Sequence, residues 1–169
     1  SCKTKKMACY DELLGEDGTD CGDGRMEGVR RLEAMTPDER FRFWQGELSR
    51  CIRCNACRNV CPACSCEKCV FDNPASGVEN KAAANSFEEN LFHIIRAFHV
   101  AGRCTDCGEC SRVCPQHIPL HLLNRKLIAD MNELYGPYQA GADLESRPPL
   151  MDFRFDDPEP STARRGGAQ

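Results

Sequence analysis

Fourteen of the 169 residues are cysteine, and eight of them fall into two copies of one spacing. Cys51, Cys54, Cys57 and Cys61 form C-x2-C-x2-C-x3-C followed by Pro62, and Cys104, Cys107, Cys110 and Cys114 repeat it before Pro115. Thiolates three residues apart wrap a short loop around one iron–sulfur cube and reach three of its irons. The fourth cysteine, four residues on and followed by proline, is directed away toward a second cube. Seven disulfides would instead require an oxidising compartment and an export signal, and would strain bridges inside segments this short. Zinc modules repeat a C-x2-C pair, but need neither the third cysteine nor the Cys-Pro at fixed offset.

The spacing therefore predicts two 4Fe–4S clusters with crossed ligation, the arrangement used by two-cluster bacterial ferredoxins. Cluster 1 is expected to take Cys51, Cys54, Cys57 and Cys114. Cluster 2 is expected to take Cys104, Cys107, Cys110 and Cys61. Each cube then ties together two parts of the chain that lie far apart in sequence.

Six cysteines remain. Cys64, Cys66 and Cys69 follow the first motif directly, and together with Cys2, Cys9 or Cys21 they are candidates for a third metal site, either iron–sulfur or zinc. Two other readings stand beside it: buried reduced thiols, or a Cys-x-Cys redox pair at 64 and 66. His93, His99, His117 and His121 show no ligand spacing and are read as structural. Arg50, Arg53, Arg58, Arg103 and Arg112 flank the ligands, either to tune the clusters or as plain solvated counter-charges.

Helices must position these loops. Thr36 as N-cap, Pro37 in the first turn and Glu39 completing a capping box predict a helix to about Arg50, with Phe41, Trp44 and Leu48 on one face. A second helix is predicted from Asn85 or Ser86 to just before Gly102, with a core stripe of Phe87, Leu91, Ile94, Ile95 and Phe98. A third runs from Pro119 to the Gly136-Pro137 stop, with Leu120, Leu123, Leu127, Met131 and Leu134 on its apolar face. Strand signals are scarce, and 42 residues separate Cys61 from Cys104. The expected fold is therefore mainly α, a helical ferredoxin-like dicluster domain rather than a compact βαββαβ frame. Residues 1–35 are expected to be a loop-rich, cysteine-containing segment with a short helical turn near Asp11–Leu14. Residues 36–136 would form the dicluster domain, and residues 137–169 an acidic, Pro-rich strap with a disordered tail.

Composition narrows the function classes. Without the cysteines, apolar residues make up only about one third of the chain, so a second term must help offset the entropy of folding. No apolar run approaches the ~18 residues of a membrane span. No secretory signal opens the chain, and a cytoplasmic location is expected. The formal charge of −4 gives no general affinity for nucleic acid. Eight thiolates and two oxidised cluster cores (about −8 and about +4) would move it to about −8.

Three stretches resemble the iron–sulfur region of formate dehydrogenase and hydrogenase beta-subunit-like proteins, which occur beside heterodisulfide-reductase-type flavin and iron–sulfur subunits. They are RCIRCNACRNVCPACSC from Arg50, FHVAGRCTDCGEC from Phe98 and IPLHLLNRK from Ile118. The likeness runs roughly from Ala8 to Asp157 and includes Tyr10–Gly15 and the Pro148-Pro149-Leu150 strap. It carries over the eight motif cysteines, and Cys64 and Cys66 match its recurring tail. Family members often carry a preceding domain, whereas the likeness here begins within a few residues of Ser1. The chain is therefore a short version or the C-terminal part of something longer. The resemblance implies a non-catalytic electron-transfer subunit of an oxidoreductase complex. It would pass electrons between a formate dehydrogenase- or hydrogenase-type enzyme and a flavin- or heterodisulfide-reducing partner, its docking surface formed by the acidic strap and the helix stripes. Two alternatives stay open: a subunit with a third, catalytic or zinc, site built from the extra cysteines, and a zinc-stabilised binding module.

Overall fold

The computed structural model describes residues 10–16, 23–76, 86–140 and 144–149, with the backbone alone over 86–89. Cys2, Cys9, Cys21, Phe87 and the acidic stretch at Asp156–Pro158 lie outside what is described. The described residues are helical and contain no strand. In chain order the α-helices are α1 (Glu27–Glu33), α2 (Pro37–Ser49), α3 (Ala56–Asn59), α4 (Ser86–His99), α5 (Glu109–Arg112) and α6 (Leu120–Tyr135). Single 3-10 turns occupy Asp23–Met26, Val70–Asp72 and Pro74–Ser76.

Local chemistry sets the helix boundaries. The Thr36 hydroxyl accepts from the Glu39 N–H at 3.3 Å, the Glu39 carboxylate accepts from the Thr36 N–H at 2.9 Å, and Pro37 occupies the first turn. This reciprocal pair satisfies two donors that the first turn of α2 leaves open. At the far end of α6, Gly136 takes φ +91° and stops the helix, as its sequence position predicts.

The two cysteine motifs are conformational duplicates. Arg53 and Asp106 occupy the same motif position and both have left-handed backbone, as do Asn55 and Gly108 two residues later. Asn and Gly are the residues that adopt this region at least cost. Each turn then enters a four-residue helix, α3 or α5, through matching hydrogen bonds. Arg58 N–H donates to Asn55 O at 3.0 Å and Ser111 N–H to Gly108 O at 3.1 Å. The exits match as well, with Cys64 N–H on Cys61 O and His117 N–H on Cys114 O, both at 3.0 Å. Periodicity could not reveal helices this short.

Around this pair, α2 packs on α4, α4 on α6, α3 on α5 and α1 on α6. The core cluster mixes Leu48, Ile118 and Leu120 with Cys57 and Cys110, and Trp44, Cys51, Cys114 and Leu123 pack against it. Motif sulfurs thus stand where a larger core would place aliphatic side chains.

Several expectations need correction. Asp11–Leu14 is not helical, whereas Glu27–Glu33, read as loop, is a helix with Val29 and Leu32 buried. Its polar face hid it: the apolar pair is short and flanked by Gly28, Arg30 and Arg31. The stripe on α4 is not core either, since Leu91, Ile94 and Phe98 are exposed while Phe92, His93, Arg96 and Ala97 are buried. The helix turns this face inward because Phe92 and His93 meet the first motif and Arg96 meets cysteine sulfurs, which reward positive charge. Ile94 and Phe98 instead line an open apolar groove of about 510 Å³ shared with α1, α2 and α6. Phe41 on α2, also expected in the core, lines the same groove and is exposed, and Leu134 on α6 is exposed.

Candidate metal centre

Two small cavities lie within the duplicated motifs. One is lined by Cys51, Cys54, Cys57 and Cys114, together with Ile52, Phe92, His93 and Ile118. The other is lined by Cys104, Cys107, Cys110 and Cys61, together with Asp106, His121 and Asn124. In each cavity three sulfurs come from one motif and the fourth from the other.

All eight cysteines are free thiols. Burial pushes the Cys57 and Cys110 thiols up, opposed by the Arg96 charge, and it raises Cys104 to about 11. Buried thiols without a counter-charge stay protonated; a bound metal is what makes them thiolates. Backbone donors are already aimed at the sulfurs. The Arg53 N–H donates to Cys51 Sγ at 3.4 Å, and the Asp106 backbone does the same for Cys104. The Asn124 amide donates to Cys110 Sγ at 3.6 Å.

Arg96 is the residue that sequence reasoning missed. It is 1 % exposed, and none of its three guanidinium nitrogens has a hydrogen-bond partner. Its charge acts on Cys57, Cys110 and Cys64, that is, on sulfurs of both motifs and of the segment after the first. An unpartnered buried guanidinium is costly unless an anion accompanies it. Eight cysteine sulfurs in two cavities and this orphaned cation together fit two anionic iron–sulfur clusters. Its signal was weak in sequence, because an Arg between Ile95 and Ala97 reads as the solvent side of an apolar stripe.

The arginines singled out by flanking position do other things. Arg50 pairs with Glu47, Arg112 with Glu109 at 2.9 Å, Arg58 with Asp72 at 2.6 Å, and Arg103 donates to the His99 carbonyl. Arg53 lies over the Phe92 ring at 4.1 Å. The second motif is anchored by Asp106, 5 % exposed, which accepts from Arg125 at 2.7 Å and from Arg25 at 3.3 Å.

His93 and His121 line one cavity each. Burial, with the Arg96 and Arg53 charges, pushes His93 down to about 3, so it is neutral, and neither ring nitrogen has a hydrogen-bond partner. Burial also lowers His121, whose Nδ1 shares a 2.8 Å hydrogen bond with Ser111 Oγ. Cys64, Cys66 and Cys69 line a further cavity of about 370 Å³ on the other side of Arg96. Among the described residues no three His, Cys, Asp or Glu side chains converge on a single ion position.

Residues 47–118 match the model of the 4Fe-4S dicluster domain. The chain is 32 % identical over 110 residues to the F420-dependent formate dehydrogenase subunit beta of Methanocaldococcus jannaschii, covering 65 % of this chain and 28 % of that protein. It is 33 % identical over 107 residues to the F420-dependent formate dehydrogenase 1 subunit beta of Methanococcus maripaludis, covering 63 % of this chain and 26 % of that one. It is also 33 % identical over 99 residues to the succinate dehydrogenase iron-sulfur subunit of Bacillus subtilis, covering 56 % of this chain and 39 % of that subunit. The shared region spans little more than a quarter of either formate dehydrogenase subunit. No described helix is long and apolar enough to cross a membrane.

Proposed function

We propose that this chain, which carries a 4Fe–4S dicluster domain at residues 47–118 and is homologous there to formate dehydrogenase beta subunits, is the electron-relay part of an oxidoreductase complex. Its ligand sets are Cys51, Cys54, Cys57 and Cys114 for one cluster and Cys104, Cys107, Cys110 and Cys61 for the other. The observation that carries this reading is the crossed lining of the two cavities, three sulfurs from one motif and one from the other in each. When bound, the clusters supply one-electron storage at low potential. The protein's residues hold them, exclude water with Phe92, Ile118 and Leu120, and offset their negative charge with Arg96. In this reading the chain passes electrons and does no bond chemistry of its own.

The partners in this reading are a formate dehydrogenase- or hydrogenase-type enzyme on one side and a flavin- or heterodisulfide-reductase-type subunit on the other. The relatives' names support the first; the likeness read from the sequence supports the second. Free thiols serving as cluster ligands call for a reducing compartment, which supports the cytoplasm. In this reading the folded unit takes in α1 as well as residues 36–136, a reading supported by the packing of α1 on α6 and the Arg25–Asp106 ion pair.

The test is the crossing itself. In the anaerobically purified protein, Cys61→Ser is expected to perturb the EPR signal of the cluster held by Cys104, Cys107 and Cys110. Cys114→Ser is expected to perturb the other one. If each variant disturbs only the cluster of its own motif, the crossed assignment fails.

A further inference from the structure

Cys64, Cys66 and Cys69 are used by neither motif, yet all three line one cavity, together with Arg58, Arg96 and Arg103. The segment is short and doubled back. Cys64 N–H is bonded to Cys61 O at 3.0 Å, and the Asp72 N–H is bonded to Cys69 O at 3.0 Å in the turn that follows. Cys64 also lies in hydrogen-bond contact with the Cys61 sulfur and within electrostatic reach of Cys69. Arg58, tied to Asp72, contacts Cys69 as well. Arg96, whose charge already bears on sulfurs of both motifs, reaches this cavity too. Its guanidinium is buried, wholly unpartnered, and forms part of the wall of this cavity.

We propose that this cavity is a third iron–sulfur site, with Cys64, Cys66 and Cys69 as ligands to three irons of a cube. The three cysteines border a space of about 370 Å³, room for a multi-iron group, whereas zinc draws four donors onto one ion at ~2.0–2.3 Å. Charge agrees. Three thiolates and an oxidised core of about +2 sum to about −1, and the lining carries Arg58, Arg96 and Arg103 against one carboxylate, Asp72, which pairs with Arg58. A cube has four irons, so one is left for a donor other than these three cysteines. The site adjoins Cys61, assigned above to the second motif's cluster, through Cys64, and shares Arg96 with both motifs. It is therefore the exit or entry point of a three-centre chain. The existence of the site does not depend on the relay reading; its role does.

Iron, acid-labile sulfide and zinc counted per chain after anaerobic purification of the full chain test it. About twelve irons are expected for the wild type, and about eight for the triple variant Cys64→Ala, Cys66→Ala, Cys69→Ala, with the two motif clusters keeping their EPR signals. About eight irons in the wild type, with or without one zinc, overturn the third cluster and leave the relay intact. No iron at all overturns both. Should the triple variant fail to fold, the wild-type count still decides, and the single variant of the exposed Cys66→Ala is expected to lower it toward eight. Loss of a motif cluster from Cys64→Ala alone would make Cys64 a motif ligand and overturn the assignment.

Discussion

The charge of one side chain, Arg96, reaches sulfurs of both motifs. Its charge bears on Cys57 of the first motif, Cys110 of the second and Cys64 beyond them, and burial leaves it nothing else to neutralise it. Reduction adds one negative charge to a cluster, so a fixed positive charge beside it favours the reduced state. Replacing Arg96 by Gln keeps much of the shape and removes the charge. An interaction on the order of 1–2 kcal/mol at an effective dielectric of ~20 corresponds to roughly 40–80 mV for a one-electron couple. Both motif clusters of Arg96→Gln are therefore expected to titrate at lower potential in EPR-monitored redox titrations, with Arg96→Lys in between. A shift confined to one cluster would show that Arg96 serves that motif alone. The eight motif cysteines were legible because their chemistry fixes their spacing along the chain. Arg96 was not, because its role depends on which way α4 is turned, and that is decided by neighbours beyond its own helix, in both motifs and in α2 and α6.

Helix existence and helix orientation separate in the same way. The α2 start was legible because Thr36, Pro37 and Glu39 settle it among themselves within one turn. The stripe of α4 obeys helical periodicity too, but periodicity names a face and not what the face meets. Here the apolar side borders an open groove, and the opposite side, through Phe92 and His93, meets the cavity of the first motif. The α1 helix was hidden by its charges, and at Gly28 it runs close to α6. A Cβ on Gly28 would sit 2.7 Å from Leu122 Cδ2, the far end of a flexible side chain. Alanine gains ~1 kcal/mol of helix propensity and asks only the mobile end of Leu122 to move, so Gly28→Ala is expected to leave the melting temperature nearly unchanged. Valine cannot be accommodated by that shift. Gly28→Val is expected to lose ~1–3 kcal/mol and loosen the Arg25–Asp106–Arg125 bridge beside it. Thermal unfolding followed by circular dichroism compares the two. Equal stability of both variants would mean that α1 contributes nothing to the fold.

At the scale of the molecule, the thin apolar content and the cysteine count answer one another. The core cluster has three aliphatic side chains at its centre, Leu48, Ile118 and Leu120, and fills the rest with Cys57 and Cys110. Without a metal those thiols are weak hydrophobes, and Arg96 is an unpaired charge in the same interior. In the proposed crossed arrangement each cube would join sulfurs from both motifs, and two covalent ties would span the 42 residues between Cys61 and Cys104. The same ties bring α2, which leads into the first motif, together with α4 and α6, which flank the second. Binding energy at such a site is folding energy, because no preformed site exists in the unfolded chain. Crossing has a further consequence: neither motif can release its cube without undoing a ligand of the other. Iron removal by chelator under mild oxidant is therefore expected to abolish the cluster absorbance near 400 nm and most of the helical signal at 222 nm together, along one time course. Bleaching that leaves the helical signal intact would show that α2, α4 and α6 stand without iron. The clusters would then be guests of the fold and not part of its core.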